Sequence, residues 1–221
     1  QICIYEADIA VEKKAQIYNW YFETMRASHS GQAMDIYGLN YMMPKALKDD
    51  AAAKLLAKRV LATHKLKSAA PASYLARIGG LLGDGTPEQI EGLGNYYEAL
   101  GIAFQIIDDT LNIKGFKDQL KSHGEDITAG KITYPMAKAM AQLDKKDRKR
   151  LWEILSAQTT DLELIAEAVA LLDKKKVIEQ CEREAKNILE KAWRQLDPLV
   201  RDTMVKLNRR AFSWFVLERT Y

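Results

Sequence analysis

Cysteine is scarce, with two in 221 residues, Cys3 and Cys181. They stand far apart and match neither metal-ligand nor redox spacing. That excludes a disulfide scaffold and reads as free thiols in a reducing, cytoplasmic compartment. The three histidines, His29, His64 and His123, have no zinc-ligand spacing either. No uncharged run approaches the roughly 18 residues that a membrane span needs, and no signal peptide is visible, so the chain is not expected to span a membrane. Neither sign of charge dominates: 33 Lys+Arg against 30 Asp+Glu leave +3. That balance argues against a nucleic-acid partner. No serine or cysteine sits in a nucleophile motif, and no glycine-rich phosphate loop is present. Sustained period-two alternation is missing too, which excludes a sheet.

What the chain has is helical periodicity throughout its length. Hydrophobic residues make up 48% and charged residues 29%, so disorder is excluded and a substantial core is available. The clearest stripe is Ile90, Leu93, Tyr97, Leu100, Phe104, Ile107 and Leu111, spaced alternately three and four. Its start is marked by Thr86-Pro87-Glu88-Gln89, an N-cap candidate, a proline at the first helical position and a capping-box glutamine. A second stripe runs Ile178, Cys181, Ala185, Ile188, Ala192. A third runs Val200, Met204, Leu207, Ala211, Trp214, with Asp197-Pro198 as its opening. Shorter helical segments fit 8–30, 46–82 with a break near Pro71, 132–143, 146–156 and 161–173. Trp20, Trp152, Trp193 and Trp214 lie in or beside apolar stripes and read as core. Between strong helices, 113–131 loses the apolar period and fills with Lys, Gly and acids, as functional loops often do. The expectation is one all-α domain, a helical bundle over residues 1–221.

The polar face of helix 87–112 carries the first chemical candidates. Gln105, Asp108, Asp109 and Asn112 fall within one arc, and Gly101 one turn earlier leaves room beside them. Adjacent carboxylates repel unless protonated or shared with a cation, and oxygen-only ligands suit a hard ion such as Mg²⁺. Alternatively the pair is a solvated helix end. Lys114, Lys117, Lys121 and Lys131 crowd the loop beyond, as a bound diphosphate would require, although Asp118, Glu125 and Asp126 offer them local partners. Gln32 with Asp35, and His64 with Lys67, each stand three residues apart and share a helix face, and each alone reads as a surface pair.

Four segments together carry a family likeness. Gly31-Gln32-Ala33-Met34-Asp35, Lys67-Ser68, Gly101 through Asp109, and Gly124 through Pro135 occur in the order and spacing of the trans-isoprenyl diphosphate synthases, or polyprenyl synthetases, and the chain resembles them over about 8–221. The resemblance implies an isoprenoid synthase-like bundle around a deep central cavity, usually a homodimer. It also implies Mg²⁺-dependent condensation of an allylic diphosphate with isopentenyl diphosphate. Carried over, Asp108 and Asp109 match Mg²⁺ ligands of the second Asp-rich motif. Lys67, Gln105, Lys121 and Lys131 match residues that act on the allylic diphosphate, and Gln32 and Asp35 match the wall of its site.

Four departures stand out. Asn112 replaces the last acid of the Asp-rich motif, keeping an oxygen and losing a charge. Ser68 stands for a threonine, and Leu217-Glu218-Arg219-Thr220-Tyr221 replaces a basic C-terminus. The first Asp-rich motif has no counterpart in 1–30, and the sequence opens on Gln1, which implies that the N-terminal helices are absent from this sequence and that the chain alone is inactive. The alternatives are a catalytically silent, synthase-like regulatory subunit and a terpene cyclase-like enzyme.

Overall fold

The computed structural model describes residues 2–114 and 124–219, and among these every regular element is helical. In chain order they are α1 (Ile2–Glu6), α2 (Val11–Tyr37), α3 (Met43–Ala46), α4 (Asp50–His64), α5 (Ala70–Leu82), α6 (Pro87–Lys114), α7 (Glu125–Thr128), α8 (Tyr134–Gln142), α9 (Lys145–Ser156), α10 (Leu162–Asp173), α11 (Val177–Leu196) and α12 (Met204–Glu218). A π turn, Lys65–Ala69, joins α4 to α5. None of the described helices is long and apolar enough to cross a membrane.

Helix α6 is the axis of the bundle, with α5 and α11 along its flanks and the π turn and α12 against it. The capping box forms as the sequence predicts: Gln89 N donates to Thr86 Oγ1 at 3.3 Å, and Thr86 N donates to Gln89 Oε1 at 3.0 Å. Within the stripe Leu93, Leu100, Ile107 and Leu111 are buried, and Tyr96, Ala103, Ile106 and Ile113 are buried beside them. A helix enclosed by neighbours on several sides needs an apolar front wider than one stripe. On α11 the predicted Ile178, Cys181, Ala185 and Ala192 are buried, joined by Leu189 and Leu196.

Three expectations need correction. The helix does not break at Pro71. Proline lacks the N–H that an α-helix would give to the Lys67 carbonyl, and the wide π turn just before it absorbs the mismatch. On α12 the predicted stripe points outward: Met204 is 69% and Leu207 59% exposed, while Ser213 and Val216 are buried. The helix starts at a Thr203 cap and not at Asp197, which belongs to a separate 3₁₀ turn. It rests on α11 partly through Arg210, whose guanidinium lies 5.1 Å from the Trp193 ring centre and 5.2 Å from that of Trp214. Finally, all four tryptophans are half-buried and none is core, since an indole on an outer helix packs one face and leaves its edge to solvent.

Candidate functional site

Two close backbone approaches fix where the site forms. A Cβ on Gly31 of α2 would stand 2.3 Å from the Lys67 amide nitrogen, and a Cβ on Gly101 of α6 would stand 2.6 Å from the Ala69 Cα. The π turn is therefore wedged between α2 and α6, each touching it where a side chain is missing. From that wedge Lys67 Nζ reaches Asp35 Oδ2 of α2 at 2.6 Å, and Ser68 Oγ donates to Gln105 Oε1 of α6 at 2.6 Å. Gly101 does leave room, as its place on the arc implied, and backbone occupies it.

The second wall is the strand-like turn after α7. Lys131 Nζ lies 3.0 Å from Asp35 Oδ1, so one carboxylate holds two lysines, one on each oxygen. Tyr134 N donates to Asp109 Oδ2 at 2.8 Å, and His64 Nε2 stands 3.4 Å from that same oxygen. Asp126 N donates to Asn112 Oδ1 at 3.0 Å, and Gly124 N donates to the Asn112 carbonyl at 3.0 Å. Asn112 thus pins the start of α7 to α6, which gives the family departure at this position a structural use. Asp108, beside the buried Asp109, meets Arg219 at 3.3 Å, and that guanidinium lies 3.8 Å from the Phe104 ring centre. Asp35, His64, Asp109 and Lys131 line a half-open cavity of about 320 Å³, with Val60 and Leu39 among its apolar walls.

The charges here are mutually tuned. Burial works to raise the Asp35 pKa, but hydrogen bonds from Lys67 and Lys131 outweigh it and hold the carboxyl below its ordinary value. Burial likewise opposes the Lys131 charge, yet Asp35, Asp126 and Asp109 carry its pKa upward. Asp126 is pushed up to about 6, first by burial and then by the charge of Asp109, with Lys131 only partly offsetting. A carboxyl whose folded pKa is raised stabilises the fold when protonated. That contribution is complete below the ordinary 3.8 and is lost as pH rises through about 6. Without divalent cation, Asp126→Asn is therefore expected to raise stability by about 1–3 kcal/mol at pH 7 and by much less near pH 4, as urea unfolding at the two pH values would read.

Of the residues singled out from the sequence, Asp35, Asp109 and Lys131 line the cavity, Lys67 is joined to it through Asp35, and Gln105, bonded to Ser68, and Asp108, paired with Arg219, stand beside it on α6. Gln32 lies one turn from Asp35 on an exposed part of α2 and does not line the cavity. Lys121, with Lys117, lies outside the described residues. Lys114 turns away to pair with Glu182 of α11. His64 is buried and not a surface residue, and both it and Arg219 join the site unforeseen. Among the described residues no group of three or more His, Cys, Asp or Glu side chains converges to hold a metal ion. The adjacent carboxylates of Asp108 and Asp109 suit Mg²⁺ nonetheless, because that ion commonly takes one or two protein carboxylates and completes its shell with water and phosphate oxygens. Burial is the first cause of the upward push on Asp126, and the charge of Asp109, which adds to it, is one that a cation would neutralise.

An all-helical chain that gathers carboxylates and lysines around one cavity is equipped to hold an anionic ligand together with a hard cation. A profile of the polyprenyl synthetase family matches residues 1–172, and the chain belongs to that family. It is 32% identical over 156 residues to the short chain isoprenyl diphosphate synthase of Methanothermobacter thermautotrophicus, a match covering 70% of this chain and 47% of that protein. Among solved structures, the geranylgeranyl pyrophosphate synthetase of Pyrococcus horikoshii superposes with a TM-score of 0.82 at 26% identity, covering 98% of this chain and 62% of that one. A geranylgeranyl pyrophosphate synthase of Corynebacterium glutamicum, complexed with isoprenyl diphosphate and magnesium, superposes with a TM-score of 0.76 at 25% identity, covering 95% and 57%. The chain spans about half to three fifths of the length of these relatives.

Proposed function

We propose that the intact protein is a prenyltransferase that condenses an allylic diphosphate with isopentenyl diphosphate. The observation that carries this reading is the gathering of two charge types at one cavity: Asp109, Asp35 and Lys131 line it, with Asp108 beside Asp109 on α6 and Lys67 joined to the set through Asp35, which it shares with Lys131. Lys67 and Lys131 would turn from Asp35 to the incoming diphosphate, with Gln105, held by Ser68, beside them. Lys121 and Gln32 belong to the same set by family position. Asp108 and Asp109 would hold Mg²⁺, which supplies neutralisation of charge on the leaving group when bound. As the allylic C–O bond breaks, its electron pair goes to the diphosphate, where the lysine charges are worth most in a site shielded from water. The isopentenyl double bond attacks the allylic cation, and the proton then lost passes to the released diphosphate. Apolar side chains such as Val60 and Leu39 would shield the cation on their side of the cavity. Family likeness carries with it a homodimer, and the two free thiols fit a reducing compartment such as the cytoplasm.

Asn112 favours one other reading. Its carboxamide oxygen is committed to the Asp126 amide, so it offers a metal less than an aspartate would, as in a silent regulatory subunit. Incorporation of labelled isopentenyl diphosphate by the intact protein separates the two, with Mg²⁺ and dimethylallyl, geranyl or farnesyl diphosphate as partner. Labelled longer prenyl diphosphates are the expected products. No incorporation from any partner would leave the silent subunit, and release of diphosphate without incorporation would point to a cyclase.

A further inference from the structure

We propose that His64 is a positioning residue that sets the Asp109 carboxylate for its ligand. His64 closes α4 immediately before the π turn and is only 7% exposed. Its Nε2 lies 3.4 Å from Asp109 Oδ2, while its Nδ1 is buried and has no hydrogen-bond partner among the described residues. With no acceptor at Nδ1, a neutral ring keeps its proton on Nε2, the tautomer that donates toward the carboxylate. The Tyr134 amide approaches the same Oδ2 from α8 at 2.8 Å. One hydrogen bond, from the Tyr134 amide, and one 3.4 Å approach, from the His64 ring, thus fall on one oxygen. They fix the rotation of the carboxyl group and leave Oδ1 without a protein partner among the described residues, at the wall of the cavity. Groups that orient a ligating side chain in this way typically change metal affinity by about 10–100-fold when removed. The same wall carries Val60 beside Thr63, Asp109, Lys131 and Thr133, so the ring sits where polar groups as well as apolar ones can meet it.

This inference rests on Asp109 being a cation ligand, and the test separates the two. Binding of Mn²⁺ to the intact protein in the presence of inorganic diphosphate is read from the resonance of the free ion, without turnover. His64→Leu is expected to weaken Mn²⁺ binding about 10–100-fold, and His64→Gln, whose amide nitrogen replaces Nε2–H, to restore most of it. Asp109→Asn is the control. Failure of the unmodified protein to bind Mn²⁺ would overturn the function proposed above and this role with it. Binding that falls with Asp109→Asn but not with His64→Leu would overturn the role of His64 alone. Equal losses in the folded Leu and Gln variants would also overturn it, since the space filled and not the donor would then matter. Should His64→Leu not fold, the ring ¹⁵N resonances decide: a proton on Nε2 whose signal moves in Asp109→Asn is expected, and a proton on Nδ1 would overturn the proposal.

Discussion

Asp108→Ala in the intact protein is expected to lower turnover by about 10²–10³-fold, the usual scale for removing one group that stabilises charge on a departing oxygen. Stability should fall by about 1–2 kcal/mol, because Asp108 is half-exposed but the Arg219 side chain 3.3 Å away is only 11% exposed and would lose its carboxylate partner. The better fit of alanine in the interior of α6 offsets part of that loss. Asp109 makes a poorer test. It is buried and receives the Tyr134 amide, so Asp109→Ala would leave a buried N–H unsatisfied and confound chemistry with folding. Rates of label incorporation, measured beside urea unfolding, check both halves of the expectation. Unchanged turnover would remove Asp108 from the site.

Gly31→Ala is expected to cost about 3 kcal/mol, at the upper end of what overpacking does. The new Cβ would stand 2.3 Å from the Lys67 amide nitrogen and 2.7 Å from its Cα, and neither is a flexible chain end that could swing aside. Helix α2 would have to stand off from the π turn. At roughly 2–4 °C per kcal/mol for a chain of this size, the melting midpoint should fall by about 6–12 °C. The Lys67–Asp35 pair would widen with it, so anion binding should weaken at temperatures where the variant is still folded. A melting curve unchanged from the original would show that the contact between α2 and the turn is dispensable.

Local patterns announced what was local. The cap at Thr86, the buried positions of α6 and α11 and the shared arc of Asp108 and Asp109 all follow from periods of three and four and from short-range hydrogen bonds. Features that depend on distant chain segments were hidden. His64 reads as a surface residue until α6 brings Asp109 against it, 45 positions on. Arg219 reads as part of an altered tail until α12 lays it over Phe104. The outward face of α12 misled because Arg210, polar by composition, takes a packing place between two indoles that periodicity assigns to apolar residues. Asn112 looked like a weakened ligand, and only the position of α7 against it reveals the Asp126 amide that it receives.

The doubly bonded Asp35 has a consequence for what the cavity will admit. Its carboxylate is a resident counter-ion, tethered by the chain and satisfied on both oxygens by Lys67 and Lys131. A visiting anion gains the two lysines only by exchange. A singly charged visitor offers no more than the tether already provides, and it gives up its own hydration as well. A group of higher charge density, with oxygens enough to span both ammonium groups, wins the exchange. The threshold for entry is thus a valence filter, set by one side chain on α2 before any metal or hydrocarbon contact contributes.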